Sequence, residues 1–315
     1  MTRLQALDGH QSHPLHTDDR AWKETNCYVD LWIELLHALG LDPVAGLAFT
    51  AGADFEGDQW TFFKYPLEDL RALYGLEVHE LNIWRSLVHH IDEQVGQGRP
   101  VIVEVDAFYL PDTAGVSYQL DHTKTSIAVQ EIDIERRRLG YFHGPGYFRL
   151  EGADFTGAFR LDRAGDPAVL PPYVEVVKLH ALERPGKAAL DLRARALLSQ
   201  HLARRPATNP FGRYHDRFAR DVEWLKGEPL AMFHLYAFAT LRQLGANYEL
   251  LATFLRSLGE AEAAAPFEEI TGLSKTLMLK TARAVTNKKP ADLSALLAPM
   301  EDAWARGMDL LARQR

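Results

Sequence analysis

The chain has 315 residues, of which 47% are hydrophobic and 25% charged, and its formal net charge is −8. This balance is typical of a globular protein with a sizeable core, and the negative charge argues against a general attraction to nucleic acid or to an anionic membrane. No stretch reaches the length of about 20 apolar residues that a membrane span needs, and the N-terminus lacks the apolar core of a signal peptide. A cytoplasmic location is therefore expected.

Residues 1–20 are polar and predict an N-terminal arm. His10, His13 and His16 recur at every third position there, a spacing that a zinc or nickel ion can use. No fourth ligand is evident, so the sequence favours a solvated tail, and no metal is expected.

Cys27 is the only cysteine of the chain and directly precedes the apolar run 28–39. Thr25 or Asn26 is a natural N-cap, so the sulfur is expected in the first turn of a helix, where free N–H groups and the helix dipole favour a thiolate. The helix is predicted to be buried nearly all round, because its polar residues form one narrow stripe: Asp30, Glu34 and His37. A lone cysteine at the head of a buried helix is the layout of papain-like thiol enzymes, and simple packing of a free cysteine is the alternative.

The pattern predicts helices at 26–40 and 67–97, and then strands at 101–105, 125–134, 139–143, 147–150 and 173–179. All β signal thus lies between 101 and 180. After Pro185-Gly186 the periodicity is helical, with helices expected at 187–204, 213–226, 229–245, 247–258, 261–285 and 291–313. The predicted fold class is α+β, with a papain-like cysteine-enzyme domain at 21–183 followed by an all-helical region at 184–315.

Acyl transfer by a cysteine needs a base, a group that orients the base, and donors for the oxyanion. His122 lies just before a predicted strand and is the expected base. Three residues compete to orient it: His143 at the end of the next strand, Asp106 after the strand 101–105, and Asp121 beside His122. The backbone N–H of Cys27 and the side chain of Asn26 are the expected oxyanion donors.

Arg213, Arg217 and Arg220 share a face of one predicted helix and form the most basic segment of an acidic chain. This face fits an acidic partner, and a solvated surface with Asp216 and Asp221 as intrahelical partners is the alternative.

His234 and Arg242 stand two turns apart on an otherwise apolar helix. They line a substrate pocket between the two parts of the chain or satisfy polar groups in the core, and the core interpretation is favoured. Trp22, Trp32 and Trp84 are interpreted as packing residues.

Several of these segments together resemble a known enzyme family: Asn26-Cys27 at a helix head, the run 100–111, His122 before a strand, and the segment 140–146. They resemble the N-terminal domain of the butirosin-pathway acyltransferases, papain-fold enzymes that move an aminoacyl group from an acyl carrier protein to an amine. The whole chain, through the segment 233–250, more closely resembles the bacterial domain-of-unknown-function family 1839. Members of that family are associated with amino acid:carrier protein ligases.

The resemblance implies a thiol-dependent acyltransferase in which Cys27 accepts an aminoacyl group from the phosphopantetheine thioester of a carrier protein. An amine or hydroxyl acceptor then takes the group, no cofactor is bound, and the phosphopantetheine arm is a substrate. Tyr109, within the run 100–111, is expected to contact the substrate, and the three arginines are expected to dock the carrier. The alternatives are a cysteine peptidase or amidase with the same dyad, and a non-enzymatic carrier-binding module in which Cys27 is merely buried.

Overall fold

The computed structural model describes Leu7 and residues 9–163, 166, 168–288 and 293–313. These residues form two compact units that do not follow one simple boundary in the chain. The first unit comprises the described residues up to Thr17, Asn26–Pro43 and Leu67–Pro185. The second comprises Asp18–Thr25, Val44–Pro66 and the described residues from Gly186 onward. The segment 44–66 thus groups with the helical region, whereas the predicted division placed it in the domain at 21–183.

The first unit combines short helices with one antiparallel sheet. Its helices are α1 (Cys27–Ala38), α2 (Leu67–Tyr74), α3 (Leu87–Gly96) and α4 (Ala153–Ala158). Its strands are β1 (Glu77–Glu80), β2 (Val101–Asp106), β3 (Lys124–Asp133), β4 (Arg138–His143), β5 (Gly146–Glu151) and β6 (Val174–Lys178). In the described residues they form a six-stranded sheet in the order β1-β6-β2-β3-β4-β5. The predicted strands are confirmed, and β1 corrects the helix predicted across 67–97, because Glu77–Glu80 pairs with β6.

The two faces of the sheet differ in what covers them. Side chains at odd positions of β2, including Val103 and Val105, belong to a buried cluster with Val88 and Ile91 of α3. Side chains at even positions point to the other face, because the direction alternates along a strand. Helix α1 packs on this even face across β3 and β4, and Tyr28 at its head reaches β6.

Helix α1 forms because an apolar run follows a good cap. The Asn26 side-chain oxygen accepts a hydrogen bond from the Val29 backbone N–H at 3.0 Å, the usual N-cap arrangement. Tyr28–Leu36 are all buried, including Asp30 and Glu34. The predicted helix and its burial are confirmed.

The second unit is built from helices. They are α5 (Lys187–Ala203), α6 (Pro210–Leu225), α7 (Leu230–Ala237), α8 (Gln243–Ser257), α9 (Ala261–Asn287) and α10 (Ser294–Arg313), with a π-helical turn at Phe238–Arg242 between α7 and α8. The predicted α+β class and the helical C-terminal region are confirmed. The division expected between the helices 229–245 and 247–258 is wrong, because α8 continues through Gly245. A β carbon at Gly245 would collide with the Trp22 ring. Among the helices that the structure describes, none is long and apolar enough to cross a membrane.

Candidate active site

Cys27 is the first residue of α1, and its side chain is partly exposed. The first turn of a helix carries backbone N–H groups without intrahelical acceptors, which favour negative charge on a nearby sulfur or oxyanion. Within the described residues the thiol makes no hydrogen bond. Asn26 is buried, and its amide oxygen is used as the helix cap.

His122 is held by Asp106. Its Nδ1 lies 2.6 Å from Asp106 Oδ2, and the other carboxylate oxygen accepts from the Phe108 N–H at 3.1 Å. The imidazole also stacks on the Phe108 ring, with 4.4 Å between centroids and 14° between planes. Of the three residues predicted to compete for this role, only Asp106 bonds to His122 among the described residues, and the bond leaves Nε2 available as the basic nitrogen.

The His122–Asp106 pair and the cysteine helix share one face of the sheet. Asp106 is an even residue of β2, like Ile102, and Ile102 pairs with Glu175, which accepts from Tyr28 of α1. No hydrogen bond joins Cys27 to His122 in the described residues, and the His122 side chain is 67% exposed. Catalytic hydrogen bonds are often long in a free enzyme and tighten only with substrate bound.

His143 makes a different set of bonds, on the opposite face. Its Nδ1 lies 2.5 Å from Asp112 Oδ2, and its Nε2 lies 2.8 Å from Thr125 Oγ1. Asp112 also accepts a hydrogen bond from the Tyr141 hydroxyl. Burial raises the pKa of Tyr141, and the negative charge of Asp112 raises it further. The structure therefore does not place His143 where it would orient His122.

The order Thr125, His143, Asp112 has the connectivity of a hydroxyl–imidazole–carboxylate triad. Thr125, however, lies within the β2–β3 ladder and is 6% exposed, so its hydroxyl offers a substrate no access. We interpret these bonds as a cross-link between β3, β4 and the loop that contains Asp112.

Asp121 and Tyr109 lie on the same loop as His122. The Asp121 N–H donates to Ser117 O at 3.1 Å, and its exposed carboxylate bonds to no described side chain. The Tyr109 ring packs directly over Gly157, where a β carbon would overlap it, and its centroid is 6.5 Å from that of His122. Tyr109 thus borders His122, whereas Asp121 does not hold it.

A cavity of about 410 Å³ lies beside His122. Its lining includes Asp106, His122, Lys124, Arg160, Pro172 and Tyr173. Lys124 Nζ donates to Glu104 at 2.7 Å, and Arg160 holds a left-handed backbone conformation with φ of 53°. The cavity therefore places two cationic side chains near the imidazole, together with the carboxylates of Glu104 and Asp106.

A buried carboxylate connects the cavity wall to the cysteine helix. Glu175 accepts from the Tyr173 hydroxyl at 2.9 Å and from the Tyr28 hydroxyl at 2.8 Å. Burial, followed by the bond to Glu175, raises the pKa of Tyr173 to about 12. Tyr28 directly follows Cys27, so this bridge fixes the first turn of α1 on the sheet.

Sequence reasoning missed Phe108, Glu175 and Tyr173. A signal existed for Glu175, since a single acid within the apolar run 174–177 needs a partner. Phe108 lies two residues after Asp106, the spacing at which an aspartate commonly caps the following backbone.

The N-terminal histidines pack on α1, so the prediction of a solvated tail is wrong for them. His10 Nε2 lies 2.6 Å from Glu34 Oε2, His16 Nδ1 lies 2.5 Å from Glu34 Oε1, and the His13 N–H donates to Glu34 at 3.0 Å. Burial opposes the charged form of His16, but Asp30 and Glu34 outweigh it and raise its pKa to about 9. Within the described residues, no three or more His, Cys, Asp or Glu side chains are arranged to hold a metal ion.

The predicted docking arginines are mostly engaged within the second unit. Arg213 forms an ion pair with Asp54, and Arg217 donates to Asp221 at 2.6 Å and to the Gly57 carbonyl. Arg220 is exposed and forms no ion pair with a described residue. Trp224, one turn further along the same face, is 50% exposed.

The structure also tests the core interpretation of His234 and Arg242 and the packing interpretation of the three tryptophans. His234 is exposed, so the core interpretation is wrong for it. Arg242 donates to the Glu24 carbonyl at 2.9 Å and lies 5.6 Å from the Phe238 ring centroid. Trp22 and Trp32 are buried as predicted, whereas Trp84 is 76% exposed and is not a packing residue.

Two family models cover most of the chain. A model described as the DUF1839 N-terminal domain matches residues 11–179, and one described as the DUF1839 C-terminal domain matches residues 187–313. No curated protein matches the chain. The resemblance to butirosin-pathway enzymes stays a prediction.

Proposed function

We propose that this chain, which belongs to the DUF1839 family, is a thiol-dependent acyltransferase with a papain-like arrangement of its first unit. It moves an aminoacyl group from the phosphopantetheine thioester of a carrier protein to an amine or hydroxyl acceptor. The observation that carries the proposal is the His122–Asp106 pair, 2.6 Å apart, on the sheet face that also receives the helix headed by Cys27.

The proposed reaction has two steps, acylation of Cys27 and transfer of the acyl group to the acceptor. His122 Nε2 takes the thiol proton, and the Cys27 sulfur attacks the thioester carbonyl while N–H groups at the head of α1 stabilise the oxyanion. The carrier thiolate leaves as the C–S bond breaks and takes the proton back from His122. The acceptor then loses a proton to His122 and attacks the acyl-cysteine; the C–S bond breaks, and the released Cys27 thiolate takes that proton from His122. Asp106 keeps the ring oriented throughout, with Nε2 toward the reacting groups.

One cationic side chain of the cavity supports a phosphate-bearing donor. Lys124 is paired with Glu104, whereas Arg160 forms no ion pair with a described residue, and a guanidinium is a usual partner of phosphate oxygens. The acceptor enters the proposal only as a nucleophilic amine or hydroxyl.

The covalent step is tested by trapping. Incubation with an aminoacyl-loaded carrier, without acceptor, is expected to leave one aminoacyl mass increment on the tryptic peptide 24–64, which contains Cys27. Exchange of a thioester between two thiols is nearly isoenergetic, so the adduct accumulates when no acceptor resolves it. Cys27→Ala is expected to lose the adduct. Cleavage of a general peptide library, with no adduct, identifies a peptidase or amidase instead.

A second candidate is a non-enzymatic carrier-binding module. The observation that favours it is the lack of a hydrogen bond between Cys27 and His122 among the described residues. A thiol that iodoacetamide alkylates no faster than free cysteine near neutral pH, together with tight carrier binding and no adduct, identifies this alternative.

Carrier docking is expected to depend on Arg220. Because Arg220 has no described ion-pair partner and lies beside exposed Trp224, Arg220→Glu should weaken binding to an acidic carrier about fivefold to tenfold, and added salt should weaken the wild-type complex. The measurement is a binding isotherm at two salt concentrations. Arg283→Glu, at an exposed arginine of α9, is the matched control. Equal affinity of the two variants places the interface elsewhere.

A further inference from the structure

The base of the proposed reaction stands at the end of a long loop. Residues 107–123 connect β2 to β3 and contain two short 3₁₀ helices, Ala107–Tyr109 and Pro111–Thr113. The ends of the loop are closed by the Ala107 N–H, which donates to Thr123 O at 2.8 Å, and by the Asp106–His122 bond. The position of His122 therefore depends on how the loop is held.

Asp112 is the buried anchor of this loop. Its side chain is 4% exposed, and it bonds to both Tyr141 and His143 of β4. Through His143 Nε2 the same carboxylate is linked to Thr125, three residues after His122. One side chain in the middle of the loop is thus tied to β4 directly and to the start of β3 through an imidazole.

The loop is also held by apolar packing, with Leu110 fully buried in the core cluster and the Tyr109 ring over Gly157. Its polar contacts near His122 are more exposed than those of Asp112. Tyr118 donates to Asp154 at 3.0 Å in a half-exposed position, and His122 itself is 67% exposed. Bonds between exposed groups contribute little because water competes for them, whereas a buried carboxylate with two donors is costly to leave unpaired.

We propose that Asp112 is a positioning residue for His122. It fixes the loop 107–123 so that the imidazole stays stacked on Phe108 and bonded to Asp106, and His143 and Tyr141 serve as its partners. The proposal rests on the proposed function only in naming His122 the base; the positioning itself is a property of the loop.

The stacking of His122 on Phe108 can be measured directly by NMR. With 4.4 Å between centroids and nearly parallel rings, Phe108 shifts the ring-proton NMR resonances of His122 upfield. Asp112→Asn is expected to move these resonances to the values of a free imidazole, and to make the amides of residues 107–121 exchange at least about tenfold faster, because a charged hydrogen bond is lost. His122→Ala assigns the resonance.

Two variants act as comparisons. Asp154→Ala removes the acceptor of the Tyr118 hydroxyl in the same loop and is expected to leave the His122 resonances in place. Tyr141→Phe removes one donor to Asp112 and is expected to shift them partially, and it keeps the test informative if Asp112→Asn does not fold.

Cys27 alkylation separates this proposal from the proposed function. If Asp112→Asn slows alkylation as much as His122→Ala does, the positioning role of Asp112 and the Cys27–His122 dyad both stand. If His122→Ala leaves the rate unchanged while Asp112→Asn still shifts the His122 resonances, the dyad fails and the positioning role stands. Unchanged resonances and exchange rates in both Asp112→Asn and Tyr141→Phe overturn the positioning role.

Discussion

Replacing Glu34 with glutamine is expected to lower the stability of α1 near neutral pH and to flatten its dependence on pH. Glu34 has a fully buried side chain that bonds to His10 and His16, and the His16 side chain is 1% exposed. The variant keeps an acceptor of the same shape but removes the negative charge. A buried imidazolium that loses its counter-charge either destabilises the fold or gives up its proton.

The sign of the pH dependence follows from the direction of the shift. The folded-state pKa of His16, about 9, exceeds its ordinary value of 6.5, so protonated His16 stabilises the folded state. This contribution is complete below about pH 6.5 and is lost as the pH rises through about 9, and a shift of this size corresponds to on the order of 3 kcal/mol. Hydrogen bonds from His16 and His10 outweigh burial and lower the pKa of Glu34, so its contribution is lost only at acid pH.

The measurement is urea-dependent hydrogen exchange of α1 amides at several pH values between about 6.5 and 9, because a local readout avoids assuming that two units unfold together. Glu77→Gln is the matched control, since Glu77 also faces two histidines, His79 and His180, at 3.8 and 3.7 Å but in an exposed setting. Glu77→Gln should change neither the stability of α1 nor the slope of that stability with pH. An equally steep slope in Glu34→Gln contradicts the assignment to this carboxylate.

Local signals predicted much of the fold. The Asn26 cap and the apolar run after it are sufficient for α1, and the alternating or continuous apolar runs gave the strands β2 to β6 within one or two residues. Strand β1 was missed because four residues with an alternating polar pattern adopt it only by pairing with β6. Helix α8 continues through Gly245, where the Trp22 ring occupies the space of the missing side chain, a contact between distant parts of the chain.

The sequence predicted the individual residues of the candidate site better than the hydrogen bonds between them. Cys27 and His122 have local signals, a helix head and a strand entrance. The choice between Asp106 and His143 depends on which face of the sheet receives α1, and only the assembled sheet decides it: Asp106 is even in β2 with Ile102, whereas His143 shares the other face with Tyr141.

The histidine cluster shows the same limit. The sequence shows the stripe formed by Asp30 and Glu34 on a helix predicted to be buried, and buried carboxylates need polar partners. Nothing local indicated that His10 and His16 supply them, because the pairing joins two segments with no shared pattern.

The second large effect is expected on the reactivity of Cys27. His122→Ala should slow alkylation by iodoacetamide about tenfold or more near pH 6.5, where a free thiol with a pKa of about 8.5 is almost entirely protonated. The difference should vanish near pH 10, because any thiol is then a thiolate without help from an imidazole. Asp106→Asn should lie between wild type and His122→Ala, since it weakens the orientation of the ring but leaves the base in place.

The control is His180→Ala, which removes an exposed imidazole of the same unit that lies 3.7 Å from Glu77 and not beside Asp106. Because Cys27 is the only thiol, the mass of the intact protein reports its alkylation directly. Equal rates in wild type, His122→Ala and His180→Ala across the pH range contradict the dyad. In that case the first turn of α1 alone sets the reactivity of the sulfur, and the acyl-transfer step needs a different base.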